Sequence, residues 1–210
     1  MGMSASRTLH LTHSEVDPAP AADPRTLTVA ARFRDVMQAL GLDLEDPNLA
    51  GTPLRVARAY RELFSGLDPA TEPELRTFPN AEGYSQIVAV TDIRFHSLCA
   101  HHFLPFFGIA HVAYLPKDRV VGLSKLARVV EHYARRPQVQ ERLTEQVIDL
   151  LERRLRPAGA MVVVQARHLC MEMRGVGQPG ATTRTSAWRG AFADARTRQE
   201  FLDLLPTSAP

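Results

Sequence analysis

The chain has 210 residues, 45% hydrophobic and 23% charged, the composition of a globular protein with one substantial core. A net charge of +2 gives no general basis for binding nucleic acid. No apolar run reaches membrane-spanning length, and residues 9–16 are broken by His10, His13 and Glu15 where a signal peptide needs an apolar core, so no membrane partner and a cytoplasmic location are expected.

Residues 1–22 are small and polar, ending in Asp17-Pro18-Ala19-Pro20-Ala21-Ala22. They bury too little apolar surface to offset their ordering entropy and are expected to form a disordered tail. Asp23-Pro24 reads as a helix N-cap followed by proline at the first helical position. Val29, Phe33, Val36, Met37 and Leu40 then share one helical face, and Gly41 is a C-terminal stop. Thr52-Pro53 repeats the start signal, and Val56, Ala57, Tyr60, Leu63 and Phe64 form a second face before Gly66. Residues 68–84 show no period and read as loop. Residues 23–84 are thus a helical N-terminal extension with its loop.

From residue 85 the pattern is that of strands. Ile87, Val88, Val90 and Ile93 lead to His96; residues 108–115 follow, closed by the turn Pro116-Lys117-Asp118-Arg119. Ser124 is read as the N-cap of a helix carrying Leu126, Val129, Val130 and Tyr133, which Pro137 ends. A longer helix carries Val139, Leu143, Val147, Leu150 and Leu151 as far as Pro157-Ala158-Gly159. A third strand is expected from Met161 through His168 and Cys170 toward Met173, and a fourth over 182–191. Asp194 caps a last helix. Residues 85–210 therefore predict an α+β domain, a four-stranded antiparallel sheet with two helices on one face.

The chemistry concentrates in Ser97-Leu98-Cys99-Ala100-His101-His102-Phe103, which holds one of the two cysteines and two of the eight histidines. The other cysteine lies in His168-Leu169-Cys170. Thiolates and imidazoles at such spacing suit a borderline-soft divalent metal such as zinc; the plainer alternative is a buried cysteine beside two surface histidines. His168 and Cys170 on one strand would share a face about 7 Å apart. Cys99 and His102 can meet one metal only if the chain turns between them. Three protein ligands plus water would make a catalytic site and a fourth a structural one, with His101 and His168 both available as the fourth. Lys125 and Arg128 lie three apart near a helix N-terminus and Arg174 follows the second cysteine; such groups can bind phosphates, although Lys125 and Arg128 taken alone read as a solvated helix face. Gln140-Glu141 opens the longer helix, where a carboxylate suits the dipole.

These segments, together with Gly122-Leu123-Ser124-Lys125-Leu126-Ala127-Arg128 and Arg136-Pro137-Gln138-Val139-Gln140-Glu141-Arg142-Leu143, resemble GTP cyclohydrolase I over roughly residues 52–205. The resemblance implies the tunnelling fold, in which sheets of five subunits close a barrel and two rings stack into a homodecamer with active sites between subunits. It implies Zn2+ on Cys99, His102 and Cys170, and acid–base roles for His101 and His168. It implies that Glu141, with Gln140 nearby, takes the guanine edge of GTP. Ser124, Lys125, Arg128 and Arg174 would hold the triphosphate, with Arg55 reaching it from a neighbouring subunit. The implied reaction is hydrolytic opening of the imidazole ring, release of formate and rearrangement to 7,8-dihydroneopterin triphosphate, the first step of tetrahydrofolate and pterin biosynthesis. Ala100 stands where the family usually has glutamate. A non-catalytic metal-binding relative, or a tunnelling-fold enzyme of altered purine or pterin specificity, are the alternatives that this departure raises.

Overall fold

The computed structural model describes residues 23–205, so the tail expected over 1–22 lies outside the described residues. The chain divides into two compact units between Arg58 and Ala59. In the first, helix α1 (Pro24–Ala39) starts as its sequence dictates: the Asp23 carboxylate accepts from the N–H groups of Arg25 and Thr26 at 3.0 and 3.3 Å. It ends in a Schellman motif, with Gly41 N–H on Gln38 O, Leu42 N–H on Met37 O, and Gly41 at φ +73° where a side chain would be strained. Of the apolar face read from the sequence, Met37 is buried while Val29, Val36 and Leu40 are exposed. Helix α2 (Thr52–Leu63) crosses the division.

The second unit holds the sheet. Residues 68–84, expected as loop, contain a 3-10 turn and strand β1 (Thr77–Pro79). Strands β2 (Val88–Cys99) and β3 (Pro105–Leu115) form a hairpin, and β4 (Arg119–Val121) returns to pair antiparallel with β1. Helix α3 (Leu123–Ala134) follows. Gly122, not Ser124, occupies its N-cap position; Ser124 is the second helical residue. Pro137–Gln138 forms β5, and helix α4 (Gln140–Leu155) ends with Arg156 in the left-handed region. Strand β6 (Gly159–His168), a one-turn helix α5 (Leu169–Glu172), strand β7 (Thr182–Gly190) and helix α6 (Ala195–Asp203) complete the chain.

The large sheet has five strands in the order β5-β2-β3-β6-β7 rather than four. Four pair antiparallel as expected; β5 adds two residues parallel to the end of β2, Leu98 beside Pro137 and Cys99 beside Gln138. Side chains alternate across the sheet. Ala110, Val112, Tyr114, Ala160, Val162 and Val164 face one way, onto Leu126, Val130, Leu143, Ile148 and Leu151 of α3 and α4. Ala113 and Met161 face the other way, onto Phe192 and Phe201 at the C-terminus. Leucines as fully buried as these stabilise the fold by about 1.5–3 kcal/mol each, which fixes α3 and α4 on the sheet and with them the residues at their ends.

A buried imidazole ties α3 to the segment before β1. His132 Nε2 lies 2.8 Å from Arg136 Nη2, and Nδ1 lies 3.2 Å from Thr71 Oγ1. A guanidinium only donates, so Nε2 accepts and the ring is neutral. Burial, then the Arg136 charge, push its pKa below 6.5, and Glu72 opposes them. The unfolded chain therefore binds the proton more tightly, so this group's stability is present above the unfolded pKa and lost as pH falls. Thermal unfolding of the wild type is expected to steepen in its pH dependence below about pH 6.5, and His132→Asn to flatten that dependence. Parallel profiles for the two proteins would refute it.

Candidate active site

Five loop residues, 100–104, join β2 to β3. Cys99 N–H donates to Leu104 O at 2.9 Å and Phe103 N–H donates to Cys99 O at 2.8 Å, which closes the loop. Phe103 completes the reversal at φ +55°, a strained setting for an aromatic residue. Its ring is held by edge contacts with Phe64 at 5.7 Å and Tyr60 at 6.3 Å. The chain thus turns between Cys99 and His102 as shared coordination requires. A second tie comes from β5: Ala100 N–H donates to Gln138 O at 2.8 Å. Gln138 is itself almost fully buried, donating to Tyr133 O and Gln146 Oε1 and accepting from Arg142 Nε at 2.6 Å.

Cys170 arrives differently from the sequence expectation. Strand β6 stops at His168, and Cys170 sits in α5, so the two residues do not share a strand face. A paired fork braces this turn: Arg167 Nε and Nη2 donate to the two Glu172 carboxylate oxygens at 2.8 and 2.6 Å. The hydrogen bond from Arg167 holds the Glu172 carboxyl below the usual range.

The donor atoms of Cys99, His102 and Cys170 all lie within 4.8 Å of one another, a group that could hold a metal ion. Both cysteines are free, Cys99 buried and Cys170 half-buried. Zinc–sulfur and zinc–nitrogen bonds of about 2.3 and 2.0–2.1 Å in a tetrahedron put donors about 3.5–3.8 Å apart. Cys99 Sγ and His102 Nδ1 are 3.7 Å apart. Burial and the adjacent Cys99 sulfur raise the Cys170 thiol, with Arg174 acting against them; two crowded sulfurs become favourable thiolates once a dication lies between them. The residues therefore fit a soft-to-borderline metal. Neither His101 nor His168 belongs to this group among the described residues, although His101 Nδ1 also approaches Cys99 Sγ at 3.7 Å.

His168 is held at the end of β6. Its ring stacks flat on Phe106, its cross-strand partner, at 4.7 Å and 2°, and Nε2 is 2.8 Å from Gln140 Oε1. Burial lowers the His168 pKa, and the Glu141 carboxylate raises it, which places Glu141 within electrostatic reach. Glu141 occupies the first turn of α4 with an exposed side chain, whereas Gln140, expected near the guanine, is 2% exposed and points into the fold. Arg174 is exposed just past α5, and burial, then the Arg174 charge, lower the His102 pKa.

The other residues expected at the triphosphate lie on α2 and α3. Ser124 and Arg128 are exposed and Lys125 half-buried on α3. Arg128 lines a cavity of about 390 Å³ with Ser65, Thr71, Glu131 and His132, and no metal candidate lines it. Arg55 lies in the first unit, donating from Nη2 to Asn48 O and Thr52 Oγ1 at 2.7 and 2.8 Å. Residues that sequence reading missed are the supports, Gln138, Arg167, Glu172 and Phe106. A buried amide or a cross-strand ring has no spacing signal of its own; Arg167 and Glu172, five apart, lack one because the strand becomes a helix between them.

Comparison with known proteins matches residues 29–206 to the GTP cyclohydrolase I family. The chain is 50% identical over 197 residues to GTP cyclohydrolase 1 of Thermobifida fusca, covering 92% of this chain and 93% of that one. It is 53% identical over 178 residues to GTP cyclohydrolase 1 of Mycobacteroides abscessus, covering 83% and 87%, and 50% identical over 174 residues to the Bacillus pumilus protein of the same name, covering 82% and 92%. A metal-competent Cys-His-Cys group, two further histidines beside it and a match spanning most of the chain lead to one assignment: the chain belongs to the GTP cyclohydrolase I family of enzymes.

Proposed function

We propose that this protein opens the imidazole ring of GTP hydrolytically, releases formate and forms 7,8-dihydroneopterin triphosphate, with zinc on Cys99, His102 and Cys170. The observation that carries this reading is the three-donor group, to which neither His101, near Cys99, nor His168, two residues before Cys170, belongs, and a set of three leaves a tetrahedral position for water. Zinc, when bound, acts as a Lewis acid and makes water nucleophilic near neutral pH. His101 and His168 exchange protons with the purine and ribose as the ring opens and the sugar rearranges, since an imidazole can both donate and accept a proton. Glu141 receives the guanine N1–H and 2-amino hydrogens. Arg174 meets the triphosphate, with Ser124, Lys125, Arg128 and Arg55 completing its binding.

The assembly is a tunnelling-fold decamer in the cytoplasm with sites shared between subunits, a reading supported by membership of the GTP cyclohydrolase I family. Incubating the purified protein with GTP and zinc should yield formate and a fluorescent pterin in equal amounts; no formate from zinc-loaded protein would refute the activity. Sedimentation should show a ring-sized oligomer, and full activity in a monomer at high dilution would refute shared sites.

A further inference from the structure

We propose that Gln140 is a positioning residue that fixes which ring nitrogen of His168 carries the proton, through a one-way chain of hydrogen bonds rooted in the backbone of the sheet. The inference rests on the reading of His168 as a proton-transfer group.

The chain is read from its fixed end. Gln140 Nε2 lies 3.2 Å from Val164 O, 3.1 Å from Thr183 O and 3.2 Å from Thr185 Oγ1. Two of these are backbone carbonyls of β6 and β7, which only accept. The amide NH2 must therefore face them; the reversed amide would press Oε1 against two carbonyl oxygens in a site 2% exposed. With the amide so oriented, Oε1 faces His168 Nε2 at 2.8 Å and can only accept. Nε2 must then carry a hydrogen, and the neutral ring keeps its lone pair on Nδ1.

The hydroxyls agree in direction. Thr144 Oγ1 donates to Gln140 O at 2.9 Å and lies 2.7 Å from Thr185 Oγ1. Because the Thr144 proton is engaged on a carbonyl, Thr185 is the donor in that pair, and its oxygen is left to accept from Gln140. Phe106 flat against the imidazole keeps the ring from swinging away. In β7, Thr185 contributes a hydroxyl and Thr183 a carbonyl to this chain.

A histidine held in the wrong tautomer cannot pass its proton in the required direction even when its position is intact. The test uses the zinc-loaded full-length assembly with 15N-labelled histidine, examined by solid-state NMR at mildly alkaline pH, with the His168 signals assigned by their loss in His168→Ala. The wild type is expected to show His168 protonated at Nε2; protonation at Nδ1 instead overturns the proposal. Thr185→Val is expected to retain the Nε2–H form, since both carbonyls still orient the amide, and a switch in that variant refutes the backbone root. Gln140→Met preserves volume and removes the acceptor. It is expected to lose the single-tautomer signature and to lower kcat for GTP by about tenfold or more with KM little changed. A raised KM with kcat retained would make Gln140 a substrate contact and overturn the proposal. If Gln140→Met fails to assemble, the wild-type spectrum decides alone. A wild type that turns over no GTP refutes the functional reading, while the tautomer result still judges Gln140.

Discussion

His102→Ala is expected to lose zinc and activity together, whereas His101→Ala keeps its zinc and loses turnover. The two residues are neighbours in one five-residue loop, yet only His102 lies with both sulfurs. Removing its imidazole leaves two thiolates without the third donor, and a two-donor site holds zinc far more weakly. His101 approaches one sulfur at 3.7 Å without joining the group. In the acid–base role proposed for it, its loss removes proton transfer, typically worth about 10²–10⁴-fold in rate, and leaves the donor set intact. Cys170→Ala should follow His102→Ala, and His168→Ala should follow His101→Ala. Metal analysis of the four purified variants, beside sedimentation to establish assembly, checks this. If His101→Ala or His168→Ala emptied the site in an intact oligomer, the metal would have a fourth protein ligand and a structural role.

The sequence showed the frame of this protein because its frame is periodic. Ala110, Val112 and Tyr114 alternate with Ala113 and Leu115, and each set meets a different layer. Asp23 and Asp194 cap helices as their side chains allow. Ser124 is equally capable of capping, but the turn from β4 places Gly122 at the boundary, and two residues decide the role. β1 and β5 were missed because two or three residues cannot display a period; their pairing is set by distant partners. The same holds for Cys170. An apolar run continues past His168, but the Arg167–Glu172 fork closes a helical turn and redirects the thiol toward Cys99. Donor chemistry and spacing suggested a metal but left His101 and His168 open as ligands, and only the family resemblance implied the set of three, whereas Gln140 changed character. Nothing in its position at the start of α4 distinguishes a side chain that meets a ligand from one that supports a histidine beneath it.

Glu141→Ala is expected to abolish GTP turnover while zinc content and assembly stay normal. The carboxylate lies in the first turn of α4, whose dipole favours a negative charge, and it is exposed in the single chain, so nothing in the fold requires it there. Its two oxygens match the two hydrogens that guanine offers side by side, on N1 and the 2-amino group. Adenine presents a lone pair at N1 and no 2-amino group, so it would face the carboxylate with an acceptor. Leaving a buried hydrogen-bonding partner unmatched costs about 1–3 kcal/mol, roughly five- to 150-fold in kcat/KM, and more when it is charged. The order expected for the wild type is therefore GTP above ITP, which lacks the 2-amino group, and ITP well above ATP. Glu141→Gln should fall with GTP as well, since its amide can accept from only one of the two hydrogens and presents NH2 to the other. Because Glu141 also raises the pKa of His168, its removal should move the acid limb of the kcat profile to lower pH in any residual activity. Unchanged GTP kinetics in Glu141→Ala, or ATP turned over as fast as GTP by the wild type, would remove this carboxylate from the recognition of the base and leave specificity to groups contributed elsewhere.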